Sequence, residues 1–199
     1  SAKALRTIQQ TNLPSIDPSR RVLGVIRPTV ECIGDLTQNR HVGILATSGT
    51  IKSESYLLEI EKLFPDVTVT GEACPMWVPL VENNEYDSEG ADYFVQKHIR
   101  QLLAKDPDID TLILGCTHYP LLIEKIRQFT PSHIRIVPQG EYVAQSLQNY
   151  FRRHPEMDNR CTKEGTCRFL TTESETKFEE SASIFLQQED IHVERIILE

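Results

Sequence analysis

Short apolar runs alternate along this chain with longer stretches in which apolar residues return every three or four positions. The runs at 22–26 (VLGVI), 41–47 (HVGILAT), 67–70, 110–115, 134–138, 167–171 and 193–198 read as strands. Between them, 50–64 sets Ile51, Tyr56, Leu57, Ile60 and Leu63 or Phe64 in a helical stripe, and 89–105 does the same with Phe94, Ile99, Leu102 and Leu103. Helices are also predicted at 120–129, with Pro120 in the first turn, at 141–151 and at about 173–188. The opening SAKALRTIQQ reads as a helix too, with Ala4, Leu5 and Ile8 on one face. Pro28 is expected to end the first strand, two prolines bracket Trp77 in an extended connection over 73–82, and 152–165 is a polar loop. Strands alternating with helices, and lacking a clean two-residue period, predict an α/β fold whose parallel sheets are covered on both faces.

Composition narrows the classes of partner. The 199 residues are 39% hydrophobic and 25% charged, as in ordinary globular proteins, and carry a formal net charge of −8. Their basic residues are scattered, with Arg152–Arg153 the nearest thing to a patch, so nucleic acid is not an expected partner. No run approaches the roughly 20 apolar residues of a membrane span, so a membrane is not expected either. Five cysteines, Cys32, Cys74, Cys116, Cys161 and Cys167, are odd in number and widely spread. That argues against a disulfide framework and for a reducing, cytoplasmic setting. Cys161 and Cys167, with His154 nearby, lack a second ligand pair at finger spacing, and no metal is expected.

Chemistry concentrates where the strand at 110–115 ends. LILGCTHYPLL breaks an apolar run at Gly115 and continues with Cys116, Thr117 and His118 before a helix. Ligands of open α/β sheets bind beyond the carboxyl ends of strands. A helix start presents free N–H groups and a partial positive charge, which favour a thiolate and can hold a carboxylate. His118 could manage the thiol proton. The plainer alternative is a small buried cysteine with Thr117 and His118 as helix caps. ATSGTIKS, at 46–53, repeats the strand–turn–helix arrangement with Thr47, Ser48 and Thr50, residues that could cap the helix or bind an anion. Glu82, at the end of ACPMWVPLVE, is either a solvated loop end or a carboxylate at the rim of the same cleft. A hydrolytic Cys–His pair fits poorly, because near neighbours in sequence rarely align base and nucleophile and no third, orienting group is apparent.

LILGCTHYPLL, with GVIRP, ILATSGTIKSESY and ACPMWVPLVE in the same order, resembles the bacterial glutamate racemase family. The match runs from about Leu23 to Leu122 and more loosely to the end. It implies a cofactor-independent isomerase, needing no pyridoxal phosphate, that supplies D-glutamate for peptidoglycan and so for cell shape. It also implies two similar parallel-sheet α/β domains with the active site between them. Residues 28–137 would form the second domain with the GCTH motif, and 1–27 with 138–199 the first. In the family two cysteines flank the α-carbon, one removing a proton and the other returning one. Cys116 matches the second of them. The resemblance gives His118 an assisting role, Glu82 a role at the substrate ammonium or in tuning the acid and base, and Thr117 and Thr50 substrate contacts. Aspartate racemases usually have glutamate where His118 stands, which favours glutamate as the small-molecule partner.

The resemblance also implies motifs that this chain does not contain. The family's first cysteine, in C-N-T-A, its partner acid in D-S-G, and a Tyr-Gly pair between them are all absent. SAKALRTIQQ resembles the family's segment immediately after C-N-T-A. The expectation is therefore a form whose first domain is incomplete, inactive by itself, with exposed sheet edges that make a second copy (a homodimer) a candidate partner. The alternatives are a racemase of aspartate or hydantoins, and a non-catalytic amino-acid-binding module.

Overall fold

A computed structural model describes residues 2–163, 165 and 167–198, with side chains from residue 4. Ser1, at the head of the expected first helix, and Glu164, in the expected 152–165 loop, lie outside the described residues. Two compact units divide the chain, residues 1–150 and residues 151–199.

In the first unit, α1 (Ala2–Thr7), a π turn and α2 (Leu13–Ile16) form the opening helical segment. Then come α3 (Ile26–Glu31), α4 (Ile33–Leu36), β1 (His41–Ala46), α5 (Ser48–Lys52), α6 (Ser55–Leu63) and β2 (Thr68–Ala73). After these the chain forms α7 (Trp77–Glu82), α8 (Glu89–Lys105), β3 (Thr111–Leu114), a 3-10 turn at Tyr119–Leu122, α9 (Ile123–Phe129), β4 (Arg135–Pro138) and α10 (Gly140–Arg153). The strand order is β2-β1-β3-β4, and every pairing is parallel. Successive strand residues point to opposite faces, and both faces are covered here. Leu45, Leu112 and Leu114 pack with Trp77, Val95, Leu102 and Tyr119. Val42, Ile44, Ile113 and Val137 pack with Val30, Ile33, Tyr56 and Ile60 on the other side. Two buried faces are why β1 and β3 read as unbroken apolar runs. The second unit holds α11 (Pro155–Asp158), β5 (Phe169–Thr171), α12 (Glu175–Leu186) and β6 (Val193–Arg195), with β5 and β6 parallel. The α/β class and the parallel pairing are thus as expected. Among the described residues, no helix is long and apolar enough to cross a membrane.

Several expected elements differ. The run at 22–26 is not a strand; among the described residues it pairs with no other segment, and Leu23 and Val25 are half exposed. Pro28 does not end an element but sits in the first turn of α3, where its missing N–H costs nothing. The helix expected over 50–64 is two, parted at Glu54, whose left-handed φ of 53° turns the chain between α5 and α6. The extended connection at 73–82 contains α7, again with a proline in its first turn. The 152–165 loop is shortened by α10 and by α11.

At the amino edge of the sheet, His41 Nδ1 lies 2.9 and 3.1 Å from the two carboxylate oxygens of Asp106. Hydrogen bonding to Asp106 raises the His41 pKa, with Asp108 and Asp110 adding to it. Burial opposes the Asp106 charge, but His41, the Asp108 N–H and Thr70 outweigh it and lower that pKa. Asp108 brings a third ligand-type atom to within 4.8 Å; the His41–Asp106 hydrogen bonds account for the closeness. A raised histidine contributes stability that is complete below its unfolded pKa of about 6.5 and fades as pH rises through the folded value. A lowered aspartate contributes stability that is complete above about 3.9 and fades as pH falls through the folded value. The pair is therefore strongest between those limits. Asp106→Asn is expected to lower the melting temperature by about 2–4 °C at pH 5.5 and by less at pH 8. An equal difference at both pH values in a melting series would disprove the linkage.

Candidate active site

Because β2, β1 and β3 are parallel neighbours, their carboxyl ends open on one edge of the sheet. Leu45 of β1 pairs with Leu114 of β3, so the turns beyond them start side by side. Gly115 fits closely there. A Cβ on it would lie 3.0 Å from Ala46 Cβ and 3.2 Å from both the Leu45 carbonyl oxygen and the Tyr56 ring. Its N–H donates to the Leu45 carbonyl at 2.7 Å, carrying the sheet's hydrogen bonding up to the residue before Cys116.

Cys116 is partly buried, and its Sγ lies 3.7 Å from His118 Nδ1. On the far side of the ring, His118 Nε2 meets Glu82 Oε1, at the last residue of α7. Thiol, imidazole and carboxylate thus form one line. The tautomer with its proton on Nε2 donates to Glu82 and turns the bare Nδ1 to the sulfur. This bears on two expectations. Glu82, left open between a solvated loop end and a carboxylate at the rim of the cleft, meets the His118 ring, with its side chain 40% exposed. A third, orienting group for the Cys–His pair does exist, and His118, two residues from Cys116, does face it.

The thiol's environment corrects a third expectation. Burial pushes the Cys116 pKa up, and this outweighs the backbone N–H groups of His118, Tyr119 and Thr117, which pull it down. The helix-start dipoles act as foreseen but do not win, since a charge with partial burial loses its hydration before short-range donors can replace it. At neutral pH the group rests as a thiol, and its proton needs an acceptor.

The neighbouring turn is more conventional. Thr47 Oγ1 accepts from the Thr50 N–H at 3.3 Å and lies 3.0 Å from Thr50 Oγ1, capping α5. Thr50 remains half-buried at this edge, and Thr117 is exposed beside Cys116. Beneath the two turns the structure adds residues that the sequence did not single out. Gln139, just past β4, accepts from Tyr56 and Thr29 and donates to the Leu114 carbonyl. Tyr119, fully buried, stacks edge-on against Trp77 with ring centres 4.8 Å apart and donates to the Cys74 carbonyl at 3.3 Å. A glutamine directly after a strand's carboxyl end was the only signal for the first of these.

Residues 19–146 match the family described as Asp/Glu/Hydantoin racemase. The chain is 38% identical over 180 residues to glutamate racemase of Streptococcus agalactiae serotype III (strain NEM316), covering 89% of this chain and 66% of that protein. It is 39% identical over 182 residues to glutamate racemase of Enterococcus faecalis (strain ATCC 700802 / V583), covering 89% and 64%. Among solved structures, glutamate racemase isoform RacE1 from Bacillus anthracis superposes with a TM-score of 0.81 at 28% identity, over 98% of this chain and 72% of that one. The enzyme from Francisella tularensis in complex with D-glutamate gives 0.80 at 26%, over 98% and 72%. The chain thus spans about two thirds of the length of the curated relatives it matches.

Proposed function

This chain belongs to the Asp/Glu/Hydantoin racemase family, and from that premise we propose that it serves the cofactor-independent interconversion of L- and D-glutamate, with Cys116 as one of the two proton-transferring groups. The observation that carries the reading is the Cys116–His118–Glu82 line at the carboxyl edge of the sheet. Inversion at carbon needs a proton removed on one face and one returned on the other. A thiol of raised pKa next to an oriented imidazole suits either half of that exchange: as base, it gives its proton to His118 Nδ1 and the thiolate removes the α-proton; as acid, the thiol protonates the carbanion and the thiolate left behind recovers a proton from His118. Cys116 has an imidazole against its sulfur. Cys74 is fully buried with its thiol pushed far up, and Cys32 packs in the other core cluster. Thr117 and Thr50, on adjoining turns, are assigned to the substrate's carboxylates. Glutamate as substrate rests on the relatives' names and on His118. The cytoplasm and the supply of D-glutamate to peptidoglycan belong to the same proposal.

Solvent deuterium provides the test. L- and D-glutamate are incubated separately with the chain in D2O, and the α-proton signal is monitored together with chiral analysis. We expect exchange into at least one enantiomer, faster than into aspartate. Racemisation accompanying exchange means that the second proton-transferring group is also supplied; exchange with retention means that Cys116 works alone. No exchange into either glutamate enantiomer, or preference for aspartate, would overturn the proposal.

A further inference from the structure

We infer that Gln139 is a positioning residue for Cys116, pinning the peptide unit immediately ahead of the one that carries the cysteine. This goes beyond the assignment of Cys116 as a proton-transferring group and rests on that reading for its catalytic meaning, though not for its test. The Leu114–Gly115 peptide has two polar ends. Its N–H is held by the Leu45 carbonyl at 2.7 Å, and its carbonyl accepts from Gln139 Nε2 at 2.9 Å. With both ends held the plane cannot rotate, and the next residue in the chain is Cys116.

Gln139 is itself fixed. Its Oε1 accepts from Tyr56 Oη at 2.7 Å and from Thr29 Oγ1 at 3.2 Å, using both lone pairs. Reversing the amide would set its oxygen against the Leu114 carbonyl oxygen, so the network admits one orientation. Thr29 is fully buried on α3 and Tyr56 nearly so on α6, while Gln139 starts the first turn of α10 by accepting the Val143 N–H. The side chain therefore ties α3 and α6 to the end of β3. The Tyr56 ring also closes on Gly115, reaching to 3.2 Å of where a Cβ would stand. Rotation of the released peptide would swing Cys116 away from the N–H groups of Thr117, His118 and Tyr119 and from His118 Nδ1, a misplacement of the kind that costs catalytic groups most of their effect.

Alkylation of Cys116 reads this without glutamate. Wild type, Gln139→Met and Tyr56→Phe are treated with iodoacetamide over a pH series, the Cys116 peptide is quantified by mass spectrometry, and each protein's thermal melt is recorded. In Gln139→Met we expect the pH midpoint to rise by about one unit, a tenfold loss of thiolate below the midpoint. Tyr56→Phe should give a smaller rise in the same direction. A residue that only supports the fold would lower the melting temperature and leave the midpoint where it was. Should Gln139→Met not fold, Tyr56→Phe decides: an unmoved midpoint in every variant that folds overturns the inference. Because the readout is thiol reactivity, absence of deuterium exchange in the wild type would defeat the proposed function and leave this result standing.

Discussion

Cys116→Ser is expected to reduce α-proton exchange by about 10⁴-fold, the upper end of what a positioned proton-transfer group supplies, while leaving the melting temperature nearly unchanged. Serine replaces sulfur with a smaller oxygen in a partly buried site, a small packing change. The chemical change is large, because a hydroxyl is far less acidic than a thiol and the anion form becomes inaccessible at working pH. The wild-type rate should itself climb from neutral towards alkaline pH, since burial raises the Cys116 pKa and only the deprotonated group removes a proton. In Cys116→Ser that rise should disappear along with the rate. Retention of more than a tenth of the exchange, measured by loss of the α-proton signal in D2O, would assign the base to another residue. The contrast between rate and melting temperature matters, because a variant that lost both would report only damage to the fold.

Where local pattern decides structure, the sequence is legible. α8 can be read to the residue: Ser88 caps it by accepting from the Ala91 N–H, Glu89 and Asp92 sit in its first turn, and Lys105 is in its last. β1 and β3 announce themselves because both of their faces are buried, and Gly115 marks the point where chemistry begins. The departures have local causes too. VLGVI is apolar without being paired, and the prolines of α3 and α7 occupy first turns, where they start helices instead of stopping them. What no reading along the chain can supply is contact across it. Glu82 reaches His118 over 36 residues, and Gln139 meets Tyr56 over 83 and Thr29 over 110. Cys116, His118 and Glu82 are all visible in the sequence as candidates, but the contact by which the carboxylate orients the ring is not, and finding it removes the argument against a Cys–His pair. The balance of burial against dipoles at Cys116 is hidden for the same reason, since burial is a property of the packed molecule.

Trp77→Ala is expected to cost about 3–5 kcal/mol of stability, the range for truncating a fully buried tryptophan, and to weaken the site along with the fold. Trp77 has no exposed surface. Its ring stacks edge-on with Tyr119 at 4.8 Å and with His98 at 6.2 Å, and its indole N–H donates to the Phe94 carbonyl at 3.4 Å. Alanine would leave a cavity among these rings and remove the indole donor from a carbonyl on α8. Typical domains hold only about 5–15 kcal/mol in total, so urea unfolding should show a midpoint lowered by a large fraction. The same side chain links two parts of the site. Trp77 opens α7, which ends at Glu82, and Tyr119 is the residue after His118. The stacked pair therefore ties the helix that carries Glu82 to the residue next to His118. Trp77→Phe keeps an aromatic edge for Tyr119 and gives up the indole hydrogen bond, so it should recover most of the stability and most of the exchange rate together. A stable Trp77→Ala variant, losing less than about 1 kcal/mol against the expected range, would mean that α7 is not held by this ring. The Glu82–His118 contact would then need another anchor.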